Sequence, residues 1–265
     1  MSKSNTDQLK PEAYSKLRGC SRSLCEYLLK WLNISENDHI LDLGCGPADN
    51  TALLSEVSKA NVEGLDIDEE RFAFAKNAHP ELTLHLGNAE ALPFADESFS
   101  VVTMMLSSHR FNDRSKVIDE VKRVLRPGGR IGIVTVTPEQ LGRRVEFRTF
   151  PTALRIESER FSSWDAHCKE LFQHGFFEHG FAEFQEKERP LDATFLEWLR
   201  QYPFSVLRKI PEREFHEGLE AIDKLIREPS KHDVVRDECT IIYGTKPLWT
   251  RELPGGFTGA VYDRD

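Results

Sequence analysis

Two glycines and one aspartate form the pattern in this sequence that says most about chemistry. Gly44 and Gly46 end the apolar run that begins at Ile40, and a helical pattern starts near Asn50. Glycines allow backbone conformations closed to other residues and let a ligand approach the main chain closely. Asp66 lies 20 residues beyond Gly46, about the distance at which a carboxylate meets ribose hydroxyls in nucleotide-binding α/β folds. The pattern therefore predicts a ligand that contains a ribose.

The same pattern could hold a dinucleotide, but the residues after Gly46 disfavour that alternative. The dinucleotide fingerprint has a third glycine where the pyrophosphate meets the start of a helix, and this chain has Pro47-Ala48-Asp49 there. An acid at a helix start repels phosphate, so Asp49 favours a ligand without one. Taken singly, the glycines would suit a tight turn and Asp66 a helix cap; their joint occurrence favours a binding site.

The elements that must position these residues follow from hydrophobic periodicity. Between about residues 38 and 136, short apolar runs alternate with helical patterns, which is typical of βαβ units and a parallel sheet. We predict strands at 39–43, 62–66, 82–86, 99–106 and 130–136, and helices at 51–59, 69–78 and 113–125. Pro127-Gly128-Gly129 predicts the end of the last helix and a turn. An amphipathic helix is predicted at 15–32, a returning strand at 239–244 and a loose tail at 250–265.

Composition narrows the class of protein. The chain has 265 residues and a net charge of −9, which disfavours binding to a phosphate backbone. No apolar stretch approaches the roughly 20 residues of a membrane-spanning helix, and the first ten residues do not resemble a secretory signal. We therefore expect a cytoplasmic protein that binds neither nucleic acid nor membrane. Five irregularly spaced cysteines predict neither a disulfide framework nor a zinc site.

Four ordered motifs carry a resemblance to a known family. LDLGCGPADN, VEGLDID, GNAEALPFADESF and EVKRVLRPGGRIGI follow one another between about residues 36 and 137. They resemble the class I S-adenosylmethionine-dependent methyltransferases, in the small-molecule branch similar to the ubiquinone- and menaquinone-type enzymes. The resemblance implies a Rossmann-like, doubly wound α/β fold with a mostly parallel seven-stranded sheet, an N-terminal helix and a C-terminal helical lid insertion. It implies one domain over residues 1–249, with the cofactor core at 36–137 and the substrate-side lid at about 190–232.

The resemblance also implies a cofactor site for S-adenosyl-L-methionine. Its predicted residues follow the first four strands of the core: Asp42, Gly44 and Gly46 around the methionine and ribose, Asp66 at the ribose hydroxyls, Asn88 and Ala89 beside the adenine, and Ile67 and Leu106 completing the set. The family usually has aspartate at the positions of Asn88 and Ser100. An asparagine can still accept a hydrogen bond through its carbonyl oxygen, so we expect weakened adenine recognition there.

Few residues in the sequence point to a catalytic role. In-line methyl transfer needs donor and nucleophile held together, and a base only when the acceptor carries a tightly held proton. His109 follows the fourth predicted strand and is the candidate base; relatives often have two histidines here, whereas this chain has His109-Arg110. A loop histidine that packs or caps is the alternative. His167, His174 and His179 lack a recognisable set of metal ligands, so no metal is predicted.

Three residues are candidates for binding the acceptor. Arg143 has the bidentate donors that suit a carboxylate or phosphate, although a solvated helix face near Glu146 is the alternative. Phe147 and Trp198 belong to the aromatic-rich half of the chain and would favour an apolar or aromatic acceptor.

The sequence thus predicts S-adenosylmethionine-dependent methyl transfer to a small-molecule acceptor. The alternatives are a non-catalytic cofactor-binding assembly or regulatory protein, a methyltransferase acting on RNA or protein, and a nucleotide-dependent oxidoreductase. The acceptor and the oligomeric state are left open.

Overall fold

The computed structural model describes residues 20–202, 204–230, 233–248, 250–253 and 257–260. These residues form two compact units. In the described part of the chain, unit 1 comprises Val136–Ser163 and Glu183–Cys239, and unit 2 comprises Cys20–Thr135, Trp164–Ala182 and the residues from Thr240 onward.

A seven-stranded sheet forms the centre of the fold. In chain order the strands are β1 His39–Leu43, β2 Asn61–Asp66, β3 Thr83–Leu86, β4 Phe99–Met105, β5 Leu125–Thr135, β6 Phe177–Gln185, β7 Arg189–Pro190, β8 Val234–Val235 and β9 Glu238–Thr245. The sheet has the order β3-β2-β1-β4-β5-β9-β6, while β7 and β8 pair separately. The first five strands run parallel to one another, and β9 runs antiparallel to β5. The structure confirms the predicted α/β class and the mostly parallel seven-stranded sheet.

Ten α-helices occur in the described residues. They are α1 Arg22–Trp31, α2 Asp49–Ser58, α3 Glu69–Ala78, α4 Arg114–Val124, α5 Pro138–Arg143, α6 Val145–Thr149, α7 Pro151–Arg160, α8 Trp164–Gln173, α9 Ala193–Arg200 and α10 Glu212–Arg227. The predicted N-terminal helix is α1, and the part of that prediction before residue 20 lies outside the described residues. Helices α9 and α10 occupy the predicted helical insertion, whose role as a lid stays a prediction.

The buried core of unit 2 explains why its strands and helices can be predicted from local hydrophobic patterns in the sequence. Strand β4 is buried along its whole length, as expected for a parallel strand covered on both faces. Helix α4, predicted at 113–125, buries Val117, Ile118, Val121 and Val124 completely, so one face of the helix is apolar. This packing fixes the carboxyl ends of the neighbouring strands in space.

One predicted turn is wrong. Pro127-Gly128-Gly129 lies within β5 and does not form a turn after the helix, since α4 ends at Val124 and β5 begins at the next residue. The pairing of β5 with β4 shifts register here, because Phe99 pairs with Leu125 and the next pair is Val101 with Arg130. A proline without an N–H and a glycine at φ 74° are tolerated where the ladder is interrupted.

The end of the described chain also differs from the loose tail that the sequence predicts. Strands β10 Thr250–Leu253 and β11 Phe257–Ala260 pair as an antiparallel hairpin. Among the described helices, none combines the length and apolar character needed to cross a membrane.

Candidate active site

Four neighbouring strands bring the predicted cofactor residues to one edge of the sheet. Gly44 and Gly46 follow β1, Asp66 ends β2, Asn88 and its neighbour follow β3, and Leu106 follows β4. Because these strands are adjacent and parallel, their carboxyl ends share an edge, where open α/β sheets bind ligands.

The glycine turn is attached to the end of β2. The backbone N–H groups of Gly44 and Cys45 both donate to the carbonyl oxygen of Leu65, at 2.7 and 3.1 Å. Gly44 has φ 73° and Gly46 has φ 57°, in the left-handed region that favours glycine. A Cβ on Gly44 would lie 2.6 Å from the Cβ of Ser107, so a larger residue cannot fit without movement.

The carboxylate of Asp66 completes the attachment of the turn. Its Oδ2 accepts a 2.7 Å hydrogen bond from the N–H of Gly46, and its Oδ1 accepts a 2.9 Å hydrogen bond from the N–H of Asp68. The residue is buried, so its carboxylate is held in one orientation. Each carboxylate oxygen has a second lone pair, which allows both to accept a ribose hydroxyl as well.

Asp42 lies beneath the turn as a second buried acid. Thr51 donates to its Oδ2 at 2.7 Å, and Thr103, its partner across the β1–β4 ladder, donates to its Oδ1 at 3.1 Å. Burial raises the pKa of Asp42 to about 6, and the negative charge of Asp66 adds to the increase. The site thus holds two acids close enough to affect each other, which favours a cationic ligand.

The residues at the predicted adenine side differ in exposure and in hydrogen bonding. The side chain of Ile67 is 67% exposed and offers an apolar surface next to Asp66. Ala89 is buried, whereas Asn88 is exposed and its Oδ1 accepts a hydrogen bond from the N–H of Glu90 at 2.9 Å. The oxygen that the sequence assigns to the adenine therefore already stabilises a turn.

Leu106 and His109 follow β4 in unit 2. Leu106 has φ 57° and its N–H donates to the carbonyl of Val134, so the chain bends sharply at the end of the strand. His109 lies half-buried in a short 3₁₀ helix, Ser108–Arg110. It is on the loop after the strand, as the sequence predicts, and its role as a base stays a prediction.

The candidate acceptor residue Arg143 lies in unit 1 and binds a carboxylate of the chain itself. Its Nε and Nη2 donate to the carboxylate of Glu238, with the shortest distance 2.7 Å. This hydrogen-bonded ion pair raises the pKa of Arg143 above its usual value. Glu238 therefore takes the place in which the sequence interpretation put Glu146, and the role of Arg143 as a substrate clamp stays a prediction.

Phe147 and Trp198 are brought together in unit 1 through a third ring. The ring centroids of Phe147 and Trp198 each lie 5.2 Å from that of Phe204. Phe147 is buried and Trp198 is half-buried. The structure thus places these rings in one aromatic cluster, and their contact with an acceptor stays a prediction.

His167, His174 and His179, for which the sequence predicts no metal, have separate surroundings. Burial lowers the pKa of His167 to about 4, His174 bonds Asp119 at 2.7 Å, and the ring of His179 lies 5.7 Å from that of Phe172. Within the part of the chain that the structure describes, no three histidine, cysteine or acidic residues are arranged to hold a metal ion.

Sequence reasoning missed the residues that support the site from behind. Thr51 and Thr103 hold Asp42, and Ser107 packs against Gly44. Thr103 could have been identified from the sequence, because it is a polar residue within the apolar run of β4. Ser107 could not have been identified in this way, since its role depends on a contact between two loops.

Comparisons with known proteins agree with this geometry. Residues 41–133 match a family model described as a methyltransferase domain. This part of the chain is similar to methyltransferase domains. It is 33% identical to a demethylmenaquinone methyltransferase of Lactobacillus johnsonii over 140 residues, which cover 48% of this chain and 57% of that protein. It is 27% identical to the protein of the same name from Listeria monocytogenes over 69% of this chain and 76% of that protein.

A solved structure shows the same fold over most of the chain. A protein of Anabaena variabilis, described as a candidate methyltransferase from an antibiotic biosynthesis pathway, superposes with a TM-score of 0.70 at 19% identity. The superposition covers 88% of this chain and 99% of that one. In sequence, the chain spans only about half the length of many curated relatives that it matches, from 37% to 57% in six of them.

Replacing Gly44 tests the close fit of the turn. Gly44→Ala places a Cβ against Ser107 at positive φ, and we expect a loss of about 1–3 kcal/mol in the free energy of unfolding in urea. Gly142→Ala is the matched control, because no atom lies within 4 Å of its Cβ. Equal stability of the two variants would contradict the account.

Asp42 predicts a dependence of stability on pH. Its pKa is higher in the folded chain, about 6, than its ordinary 3.8, so its contribution is present below pH 4 and is lost as the pH rises to about 6. Relative to Asp42→Asn, whose amide can still bond both threonine hydroxyls, the wild type should lose about 2 kcal/mol between pH 4 and 7. Urea unfolding at each pH measures the difference, and a difference that stays constant would contradict the assigned pKa.

Proposed function

We propose that this chain is an S-adenosylmethionine-dependent methyltransferase that acts on a small-molecule acceptor. The observation that carries the proposal is the Asp66 carboxylate, held by the N–H of Gly46 at the shared carboxyl edge of β1 and β2. A carboxylate fixed beside a glycine turn, with a free lone pair on each oxygen, suits a ribose diol. The methyltransferase domain match over residues 41–133 supports the same cofactor.

The residues present fit that cofactor better than a dinucleotide. A Cβ on Gly46 would meet no atom nearer than Nη1 of Arg71, at 3.9 Å, so a ligand can approach the backbone there, and Ile67 offers an exposed apolar surface for a flat base. Asp42 and Asp66 are buried acids, and Asp49 opens α2, so the turn attracts a cation and repels phosphate. S-adenosylmethionine supplies, when bound, a methyl group on a cationic sulfonium.

The chain's own contribution to transfer would be binding and orientation. Asp66 and the glycine turn fix the ribose end of the donor, which limits the directions from which an acceptor approaches the methyl group. His109, on the loop after β4, would accept a proton from an acceptor whose nucleophile is protonated. For thiolates or amines that are already deprotonated, no base is required.

The acceptor that we propose is a small apolar or aromatic molecule. The aromatic cluster of Phe147, Trp198 and Phe204 in unit 1 supports an apolar ligand. The demethylmenaquinone methyltransferases among the relatives are named for small-molecule acceptors, which supports the same class.

Titration calorimetry with S-adenosylmethionine, S-adenosylhomocysteine and NADH tests the proposal. We expect both adenosyl compounds to bind the wild type, and Asp66→Ala to weaken them by about 100-fold or more, because two hydrogen bonds to a charged group are lost. Asp119→Ala is the matched control, since Asp119 is exposed and lies on α4. Binding of NADH alone, or of no compound, would refute the cofactor assignment.

Transfer of a labelled methyl group then separates an enzyme from a cofactor-binding partner. A panel of phenols, thiols and amines should include an acceptor that the wild type methylates and Asp66→Ala does not. Cofactor binding without transfer to any acceptor class would favour the non-catalytic alternative.

A further inference from the structure

Three side chains that directly follow β5 each leave one polar atom without a partner. Gln140, Arg144 and Glu146 lie in unit 1 on α5, at its end and on α6. Among the residues that the structure describes, nothing hydrogen-bonds to Nε2 of Gln140, Nε of Arg144 or Oε2 of Glu146, and all three atoms are buried. Native proteins contain few such atoms, because an unpaired buried polar group destabilises the fold.

Gln140 is held at one end by the start of its own helix. Its Oε1 accepts a 2.9 Å hydrogen bond from the N–H of Thr137, while its own N–H donates to the Thr137 hydroxyl. This capping box decides the orientation of the amide, because the oxygen must face the N–H of Thr137. The two N–H donors of Nε2 are therefore aimed away from the cap, and the residue is 1% exposed.

Arg144 is anchored in the same manner. Its Nη2 donates to the backbone carbonyl of Glu238, whereas the carboxylate of Glu238 is occupied by Arg143. The Nε–H of Arg144 is left as a donor in a half-buried side chain.

Glu146 supplies the complementary group. The residue is 4% exposed, and its own backbone N–H bonds its carboxylate, which leaves Oε2 open. Burial raises the pKa of Glu146, while the positive charges of Arg144 and Arg148 oppose the increase and Asp237 adds to it. The open Oε2 of this carboxyl group can take part in one further hydrogen bond.

In each of the three side chains, one polar atom is held in a hydrogen bond and another has no hydrogen-bond partner. Groups that are held rigidly and unpaired resemble the polar residues of a preformed ligand site.

We propose that Gln140, Arg144 and Glu146 form a recognition site for a small organic ligand that carries two neighbouring oxygen functions. The two donors suit a carbonyl or hydroxyl oxygen, and the carboxyl group of Glu146 suits a hydroxyl. The aromatic cluster of Phe147, Trp198 and Phe204 in the same unit favours a ring as the body of the ligand. That this ligand is the methyl acceptor rests on the proposed function; the site itself does not.

Two substitutions of equal size reverse the polarity of the open atoms. Glu146→Gln turns the open acceptor into a donor, and Gln140→Glu keeps the oxygen of the capping box while the open donor becomes an acceptor. Glu139→Gln is the matched control, because Glu139 is the exposed neighbour of Gln140 on the same helix. Fluorescence titration with 2,3-dihydroxynaphthalene and 2-naphthol then compares two adjacent oxygens with one.

We expect the wild type and Glu139→Gln to prefer the dihydroxy probe by about tenfold, as one additional hydrogen bond to a charged group would give. Glu146→Gln and Gln140→Glu should lose that preference. The melting temperature of Glu146→Gln should equal or exceed that of the wild type, because a buried acidic group is replaced by a neutral amide of the same size. A retained preference, no binding of either probe to the wild type, or a lower melting temperature for Glu146→Gln, as a structural network with buried water would give, would overturn the proposal.

The same variants keep this test separate from that of the cofactor. Glu146→Gln should bind S-adenosylhomocysteine as the wild type does, since its unit-1 side chain is not among the proposed cofactor ligands. A wild type that binds the dihydroxy probe but not S-adenosylhomocysteine would refute the proposed function and support this site. The reverse result would support the function and refute the site.

Discussion

Three hydrogen bonds between the glycine turn and the end of β2 are the interaction on which the rest of the site depends. The N–H groups of Gly44 and Cys45 bond the carbonyl of Leu65, and that of Gly46 bonds the carboxylate of Asp66. The turn that would face the ligand and the acid that would bind it are therefore one rigid unit. Displacement of either strand would disturb both, which explains why the packing of the parallel sheet matters for function.

The second constraint is that two acidic side chains, Asp42 and Asp66, are buried near each other. Asp42 and Asp66 lie close enough for one to raise the pKa of the other, and the two threonine hydroxyls on Asp42 offset part of the cost. Such an arrangement is unfavourable for the empty fold, because buried carboxylates lose hydration. A bound cation would offset this unfavourable contribution, so the stability of this part of the sheet and the proposed preference for a cationic ligand would have the same physical origin.

Much of the fold could be predicted from local patterns, because the strands of a buried parallel sheet are continuous apolar runs. Strand β1 and helix α3 begin and end where the periodicity places them. Contacts between distant segments could not be predicted in this way. The interrupted ladder that accepts Pro127 within β5 depends on β4, and Glu238, the partner of Arg143, lies 95 residues away in the chain. The proposed cofactor site could be predicted because its glycines and acids are required by residue type, whereas the proposed recognition site of Gln140, Arg144 and Glu146 depends on which polar atoms the fold leaves unpaired.

The central claim is that Asp66 binds the ribose hydroxyls of an adenosyl cofactor. A binding cycle tests it most directly, with S-adenosylhomocysteine and its 2′,3′-dideoxyribose analogue measured on the wild type and on Asp66→Ala. The account predicts that removing the hydroxyls weakens binding strongly in the wild type and hardly at all in Asp66→Ala, so the two losses do not add. Equal losses in both proteins would show that the hydroxyls and the carboxylate act independently, and would contradict the account.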